Sequence, residues 1–86
     1  MKTIIKFSMD SCNPCKQLKP IFDDVIKEIS DIEVVEIDVE EHPDIASNYK
    51  VRGVPSIIVT DENDNVLAMK SGMMSKEQLI NLIKEC

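Results

Sequence analysis

The chain has 86 residues, which is room for one compact domain, predicted over residues 1–86. Hydrophobic residues make up 43% and charged residues 30% of it, a balance typical of a globular protein and not of a disordered one. Ten basic residues against sixteen acidic ones give a formal net charge of -6, which disfavours nucleic acid and membrane surfaces as partners.

The N-terminus and the cysteine count both predict a location inside the cell. The apolar stretch that follows Met1 is too short for the core of a signal peptide, and no small-residue cleavage site follows it. We therefore expect the protein to be cytoplasmic. Three cysteines are an odd number, and two of them are three positions apart, which favours a reactive or metal-binding pair over a secreted disulfide framework.

Alternation of apolar and polar residues, together with β-branched runs, predicts four strands. They contain residues 4–7, 35–39, 56–60 and 66–69. A first helix is predicted from Cys15 onward, because apolar residues recur there at steps of three and four. A short second helix is predicted from Pro43 to Tyr49, and a last one after a capping box formed by Ser75 and Gln78.

The order of these elements, βαβαββα, predicts an α/β fold with three helices and a mixed four-stranded sheet. Two strand-helix-strand passages are expected to pair their strands in parallel through right-handed crossovers. The last two strands are separated by five turn-forming residues, which predicts an antiparallel hairpin. Helices are expected on both faces of the sheet.

The pair Cys12 and Cys15 lies where the first strand gives way to the first helix. Unpaired amides and the positive end of the helix dipole stabilise an anion there, so we expect the thiol of Cys12 to lose its proton readily. Cys12 can then attack a substrate disulfide, and Cys15, one helical turn further on, can resolve the mixed disulfide. Pro14 stiffens the turn between them.

A zinc site is an alternative interpretation of the same cysteines. A structural zinc ion needs four ligands, and the cysteines and histidine of the chain are Cys12, Cys15, Cys86 and His42. All four would have to converge on one ion, although Cys86 is the last residue. The other interpretation of Cys86 is an exposed, incidental thiol.

Further residues extend the pattern around the cysteines. Phe7 precedes them and Lys16 follows them, Pro20 lies in the first helix, and Tyr49, the segment Val51-Arg52-Gly53-Val54-Pro55-Ser56 and Gly72 come later. With Cys-Asn-Pro-Cys, this combination resembles the thioredoxin family. The family's opening strand and helix are absent, so the length is similar to that of a glutaredoxin.

The resemblance implies a minimal thioredoxin fold and a thiol-disulfide oxidoreductase that reduces protein disulfides. It implies no bound cofactor, and it implies two partners, a thioredoxin reductase that supplies electrons and disulfide-containing protein substrates. A monomer is the default expectation. By the same resemblance, Pro55 would be a cis-proline facing the sulfurs, Val54 would offer its backbone to an extended substrate segment, and Gly72 would leave room for that segment. Asn13 and Pro14 complete the expected substrate-binding set.

Three positions depart from the family. Thioredoxins usually have Trp before the first cysteine, and this chain has Ser11. Thioredoxins also bury an Asp behind the second cysteine with a Lys near it, and an ungapped alignment places Lys6 and Glu36 there. We hypothesise that Lys6 and Glu36 pair beneath Cys15, where the ammonium favours the thiolate and the carboxylate accepts its proton. The alternative is two solvated charges that never meet.

Two other functions stay open at this point. A glutaredoxin-like, glutathione-dependent redoxin fits the length, although the Cys-Pro-Tyr-Cys motif and paired glycines of glutaredoxins are missing. A redox-silent binding module with the same fold would dock a partner without using its cysteines. The intact pair Cys12 and Cys15 argues against this second function.

Overall fold

The computed structural model describes residues 1–85, so Cys86 lies outside the described residues. The elements in chain order are β1 (Lys2–Ser8), α1 (Asn13–Glu28), β2 (Ile32–Asp38), α2 (Pro43–Asn48), β3 (Ser56–Thr60), β4 (Val66–Ser71) and α3 (Lys76–Lys84). The predicted order βαβαββα is confirmed. The strand β4 continues two residues past its predicted end at Met69.

Local side-chain chemistry sets where the helices begin. The hydroxyl of Ser75 accepts a hydrogen bond from the amide of Gln78 at 3.1 Å, and the side-chain carbonyl of Gln78 accepts one from the amide of Ser75 at 2.9 Å. This reciprocal pair satisfies two amides at the start of α3, as the sequence predicts. Pro14 and Pro43 each lie in the first turn of a helix, where a missing amide proton leaves no hydrogen bond unmade.

The sheet has the strand order β2-β1-β3-β4 and is mixed. Strand β1 runs parallel to β2, with Lys6 beside Glu36, and antiparallel to β3. Strand β4 pairs antiparallel with β3, which confirms the predicted hairpin, and a register shift between Val59 and Thr60 interrupts that ladder. Within residues 1–85, β2 and β4 are the two edge strands.

The direction of β3 corrects one expectation. Only the first strand-helix-strand passage joins parallel strands, whereas β3 runs antiparallel to β1 and so also against β2. The reason is the length of α2. A six-residue helix spans about 9 Å, while the seven residues of β2 extend about 23 Å, so α2 cannot carry the chain back to the start of the sheet. The chain therefore enters β3 at the end where β2 finishes.

Helices cover both faces of the sheet, as predicted. On one face α1 and α3 pack against β1 and β3 around a core that includes Ile4, Leu18, Phe22, Ile57 and Leu79. On the opposite face Ala46 of α2 packs with a second cluster of Ile5, Phe7 and Ile58.

The short helix α2 leaves part of its face uncovered. Val35 on the edge strand β2 stays 40% exposed, although the alternation in this strand resembles that of a half-buried one. Ile37, two residues further along the strand, packs against the cluster beneath α2. The end of the sheet that carries the cysteine loop is therefore the better covered end on this face.

Candidate active site

The two cysteines lie at the junction between β1 and α1. Cys12 is the residue that caps α1, and its sulfur accepts a hydrogen bond from the amide of Cys15 at 3.1 Å. The amide of Cys12 in turn donates to the carbonyl of Met9 at 3.2 Å, which fixes the loop before the helix. The first turn of α1 contains no acidic residue, so nothing there opposes a negative charge on the Cys12 sulfur.

Cys12 and Cys15 are joined by a disulfide, with their Cα atoms 5.2 Å apart. Both residues are almost fully buried, at 6% and 4% exposure. By contrast, Asn13 and Pro14 between them are exposed at the start of α1. The dithiol pair predicted from the sequence is therefore close enough to cycle between thiols and a disulfide.

A second loop carries the predicted cis-proline. The peptide bond between Val54 and Pro55 is cis, as the resemblance implies, and Pro55 is fully buried. Met9, from the cysteine loop, and Val54 both line a cavity of about 390 Å³, so the two loops meet at the same end of the sheet. Arg52 and Gly53 line this cavity as well.

Gly72, directly after β4, joins the proline loop from the neighbouring strand. Its amide donates to the carbonyl of Pro55 at 2.8 Å, and its φ of +89° is a conformation that L side chains rarely adopt. Next to this contact, the hydroxyl of Ser56 donates to the carbonyl of Gly53 at 2.6 Å and lies 2.9 Å from the hydroxyl of Ser71. The proline loop and the end of β4 are thus tied together.

The hypothesised pair between Lys6 and Glu36 is present. The Lys6 Nζ lies 3.6 Å from Glu36 Oε1 on the adjacent strand, in the register that brings these two residues side by side. The Lys6 side chain is 5% exposed and that of Glu36 is 54% exposed, so the pair bridges the interior and the solvent. The ammonium also lies 5.1 Å from the centre of the Phe22 ring, a cation–π contact that the sequence does not reveal.

This pair shares a cavity with the second cysteine. The cavity has a volume of about 430 Å³ and is lined by Lys6, Ser8, Met9, Asp10, Cys15, Lys16, Lys19 and Glu36. The structure therefore brings the buried lysine, its carboxylate partner and Cys15 to one solvent-connected space. Lys16 and Lys19 line it from α1, and the spacing of four residues between Cys15 and Lys19 is the signal that places that lysine on the same side of the helix.

The zinc alternative needs His42 and Cys86 to join the two cysteines around one ion. His42 caps the start of α2 and is exposed, and Cys86 lies outside the described residues. Across residues 1–85, no group of three or more His, Cys, Asp or Glu side chains is arranged to hold a metal ion.

None of the helices described in this range is long and apolar enough to cross a membrane.

Comparison with known proteins decides the family. The family model "Thioredoxin" matches residues 1–85. The chain belongs to the thioredoxin family. Among curated relatives, it is 36% identical over 83 residues to the thioredoxin of Buchnera aphidicola subsp. Acyrthosiphon pisum, covering 95% of this chain and 76% of that one. It is 33% identical over 86 residues to the thioredoxin of Rickettsia typhi, covering 99% and 81% of the two chains.

Solved thioredoxin structures agree with this assignment. A mutant thioredoxin from Halobacterium salinarum superposes with a TM-score of 0.87 at 31% identity, covering 98% of this chain and 73% of that one. Oxidised mitochondrial thioredoxin 3 from Saccharomyces cerevisiae gives 0.90 at 28% identity, covering 99% and 78%. The predicted minimal thioredoxin fold is confirmed, and this thioredoxin-family chain, with its Cys12–Cys15 pair, is a thiol-disulfide oxidoreductase.

Proposed function

We propose that the protein reduces disulfides of other proteins in the cytoplasm, with Cys12 as the attacking thiol and Cys15 as the resolving thiol. The observation that supports these roles is the hydrogen bond from the Cys15 amide to the Cys12 sulfur at the start of α1. In the reduced protein this donor and the helix dipole stabilise a thiolate at Cys12. A more acidic Cys12 thiol is the better nucleophile at neutral pH.

The reaction takes place in two exchange steps. The Cys12 thiolate attacks one sulfur of a substrate disulfide, which forms a mixed disulfide and releases the other substrate sulfur as a thiolate that takes up a proton. Cys15 then loses its proton and attacks the Cys12 sulfur, which releases the second substrate thiol. Two electrons pass to the substrate, and the protein ends with the Cys12–Cys15 disulfide that the structure contains.

We assign the substrate-binding role to the residues that frame the sulfurs. Asn13 and Pro14 present the exposed side of the cysteine turn, and Val54 offers its backbone to an extended substrate segment. Pro55 and Gly72 support this loop through their backbone hydrogen bond. A Cβ atom built on Gly72 would meet nothing within 4 Å, so the space above this glycine is open to a substrate chain.

The proposed partners follow from the family and from the charge. A thioredoxin reductase is the proposed electron donor, since the curated relatives are named thioredoxins. The net charge of -6 disfavours nucleic acid and membrane as partners. We further propose that the protein works as a monomer and needs no bound cofactor.

The first test is insulin disulfide reduction with dithiothreitol as the electron source. The wild-type protein is expected to accelerate the reaction, and Cys12→Ser is expected to abolish the acceleration. Cys86→Ser is the control and should leave the rate unchanged, because the dithiol mechanism does not use that residue. Equal inactivity of the wild type and Cys12→Ser would overturn the proposal, and zinc analysis of the reduced protein would then test the metal alternative.

Two further measurements test the roles and the electron donor. Cys15→Ser should accumulate a mixed disulfide with a substrate protein, detectable by mass spectrometry and lost on adding reductant. Turnover with NADPH and thioredoxin reductase, but not with glutathione and glutathione reductase, is expected. Turnover with glutathione alone would establish the glutaredoxin-like function instead.

A further inference from the structure

We propose that the buried ammonium of Lys6 stabilises the thiolate of Cys15 across their shared cavity, and so promotes the resolving step and favours the reduced state of the pair. This inference rests on the proposed function. It concerns the second exchange step, in which Cys15 must carry a negative charge although it is almost fully buried.

The burial of Cys15 makes its thiolate costly without a nearby cation. Cys15 is 4% exposed, and burial in apolar surroundings penalises the charged form of a thiol. A cation nearby has the opposite effect. The Lys6 side chain is 5% exposed and lines the same cavity as Cys15, so protein surrounds most of both groups and their attraction is screened less than it would be in bulk water.

The Lys6–Glu36 pair is too loose for the carboxylate to neutralise the lysine charge fully. Their closest nitrogen–oxygen distance of 3.6 Å is longer than the roughly 2.7–2.9 Å typical of charge-assisted hydrogen bonds. The carboxylate is also half exposed, so solvent weakens its hold on the ammonium. Glu36 therefore makes the burial of Lys6 tolerable but leaves a positive field in the cavity.

The remaining charges around the cavity do not cancel that field. The charged residues that line it are Lys6, Asp10, Lys16, Lys19 and Glu36, three cations against two anions. Lys16 and Lys19 are exposed, and Lys19 also lies 3.5 Å from Asp23 on α1. Lys6 is the one buried charge in this set, and its effect on Cys15 is the least screened.

The proton balance of the resolving step uses the same residues. The Cys15 thiol gives its proton to the carboxylate of Glu36, whose exposed side passes it to solvent. The Cys15 thiolate then attacks the Cys12 sulfur, the Cys12–substrate bond breaks, and the departing substrate thiolate takes up a proton from solvent. The charge on Lys6 is unchanged throughout, and its role is to lower the energy of the thiolate.

The test isolates Cys15 as the single cysteine. In a Cys12→Ser, Cys86→Ser background, the ultraviolet absorbance of the thiolate reports the titration of Cys15 alone. Adding Lys6→Met, which keeps the length and apolar volume of the side chain, is expected to raise the midpoint by about one pH unit, roughly a tenfold change in thiolate population at fixed pH. Lys16→Met is the matched control, and because its side chain is exposed it should shift the midpoint far less.

A redox measurement in the full chain completes the test. At equilibrium with a glutathione buffer, Lys6→Met should hold a smaller reduced fraction than the wild type, whereas Lys16→Met should match the wild type. An unchanged midpoint and an unchanged reduced fraction in Lys6→Met would overturn the inference. Insulin reduction by the wild type would still stand in that case, so this failure is distinct from failure of the proposed function.

A second variant decides the question if Lys6→Met does not fold. Glu36 lies on the exposed edge strand β2, so Glu36→Gln removes the negative charge beside Lys6 without burying a new group. In the single-cysteine background it should lower the midpoint of Cys15. An unchanged midpoint in this variant would show that the charges of the pair do not reach Cys15, and the inference would be wrong.

Discussion

The amide of Gly72 donates a hydrogen bond to the carbonyl of Pro55, with 2.8 Å between nitrogen and oxygen. This bond joins the loop before β3 to the turn after β4, two segments that both carry proposed substrate-binding residues. The hydroxyls of Ser56, which follows Pro55, and of Ser71, which precedes Gly72, lie 2.9 Å apart and form a second link. The two proposed substrate-binding segments are therefore held together before a substrate arrives, which lowers the ordering cost of binding.

The first prediction concerns this serine link. Ser56→Ala removes the donor to the Gly53 carbonyl and the partner of Ser71, so we expect the free energy of unfolding to fall by about 1 kcal/mol. Ser71→Ala should cost less, because Ser71 is exposed. Urea unfolding of both single variants and the double variant measures these values. Losses that simply add in the double variant would contradict a direct interaction between the hydroxyls.

The second prediction compares the two glycines. Gly72→Ala is expected to destabilise the protein by about 1 kcal/mol, because its φ of +89° is unfavourable for any residue with a Cβ. Gly53→Ala is the matched control, since a Cβ there also meets nothing within 4 Å but the φ is not positive. We expect its effect on unfolding in urea to stay within about 0.5 kcal/mol. Equal losses in the two variants would argue against a backbone origin.

The third prediction concerns the start of α3. Ser75→Ala removes the hydroxyl that accepts from the Gln78 amide, and we expect a loss of about 1 kcal/mol in the free energy of unfolding. Ser47→Ala, at an exposed position in α2, is the control and should cost little, because alanine favours the helix. Thermal and urea unfolding measure both variants. A loss of the same size for Ser47→Ala would show that the capping hydrogen bond is not the cause.

The fourth prediction concerns a carboxylate in the hairpin loop. The side-chain amide of Asn65 donates to Asp61 at 3.1 Å, and backbone amides of Asn65 and Asn63 add two further hydrogen bonds. These donors, with the Asn65 side chain foremost, hold the pKa of Asp61 below its ordinary value of 3.8. Asn65→Ala should raise this pKa, whereas Asn63→Ala, which keeps its backbone donor, should leave it lowered. Carbon-13 titration of the Asp61 carboxyl distinguishes the two variants.

The sign of the resulting pH dependence follows from the lowered pKa. A carboxylate that is more acidic in the folded protein stabilises the fold above its unfolded pKa, and this stabilisation is lost as the pH falls through the folded pKa. The difference in stability between the wild type and Asn65→Ala should therefore be full at neutral pH and shrink below pH 3.8. A difference that grows in acid would contradict this account of Asp61.

Signals confined to a few neighbouring residues predict much of the fold. The capping pair of Ser75 and Gln78 places the start of α3 because both partners lie within one helical turn. The predicted direction of β3 is wrong, although the predicted helix from Pro43 to Tyr49 is already too short to return along the sheet. The order of elements alone does not say which way a chain runs after such a helix, and helix length decides it.

The sequence predicts the site residues that belong to a local motif or that align with positions of the family. The place of Cys12 at a helix start follows from local sequence, and the Lys6–Glu36 pair follows from the resemblance, since both positions align with charged family positions. The contact of Lys6 with Phe22 depends on how α1 packs over the sheet, which no spacing reveals. Val35 is exposed for a similar reason, because the reach of α2, and not the alternation of β2, decides its burial.

The outer edge of β2 affects whether two copies of the protein can pair their sheets edge to edge. Within residues 1–85 no strand pairs with this edge, and such an edge is a template for aggregation. Glu33, Glu36 and Asp38 place three carboxylates along the strand. Two copies that joined edge to edge would force these charges together, so the strand that supplies a counter-charge to Lys6 also opposes the pairing of two sheets.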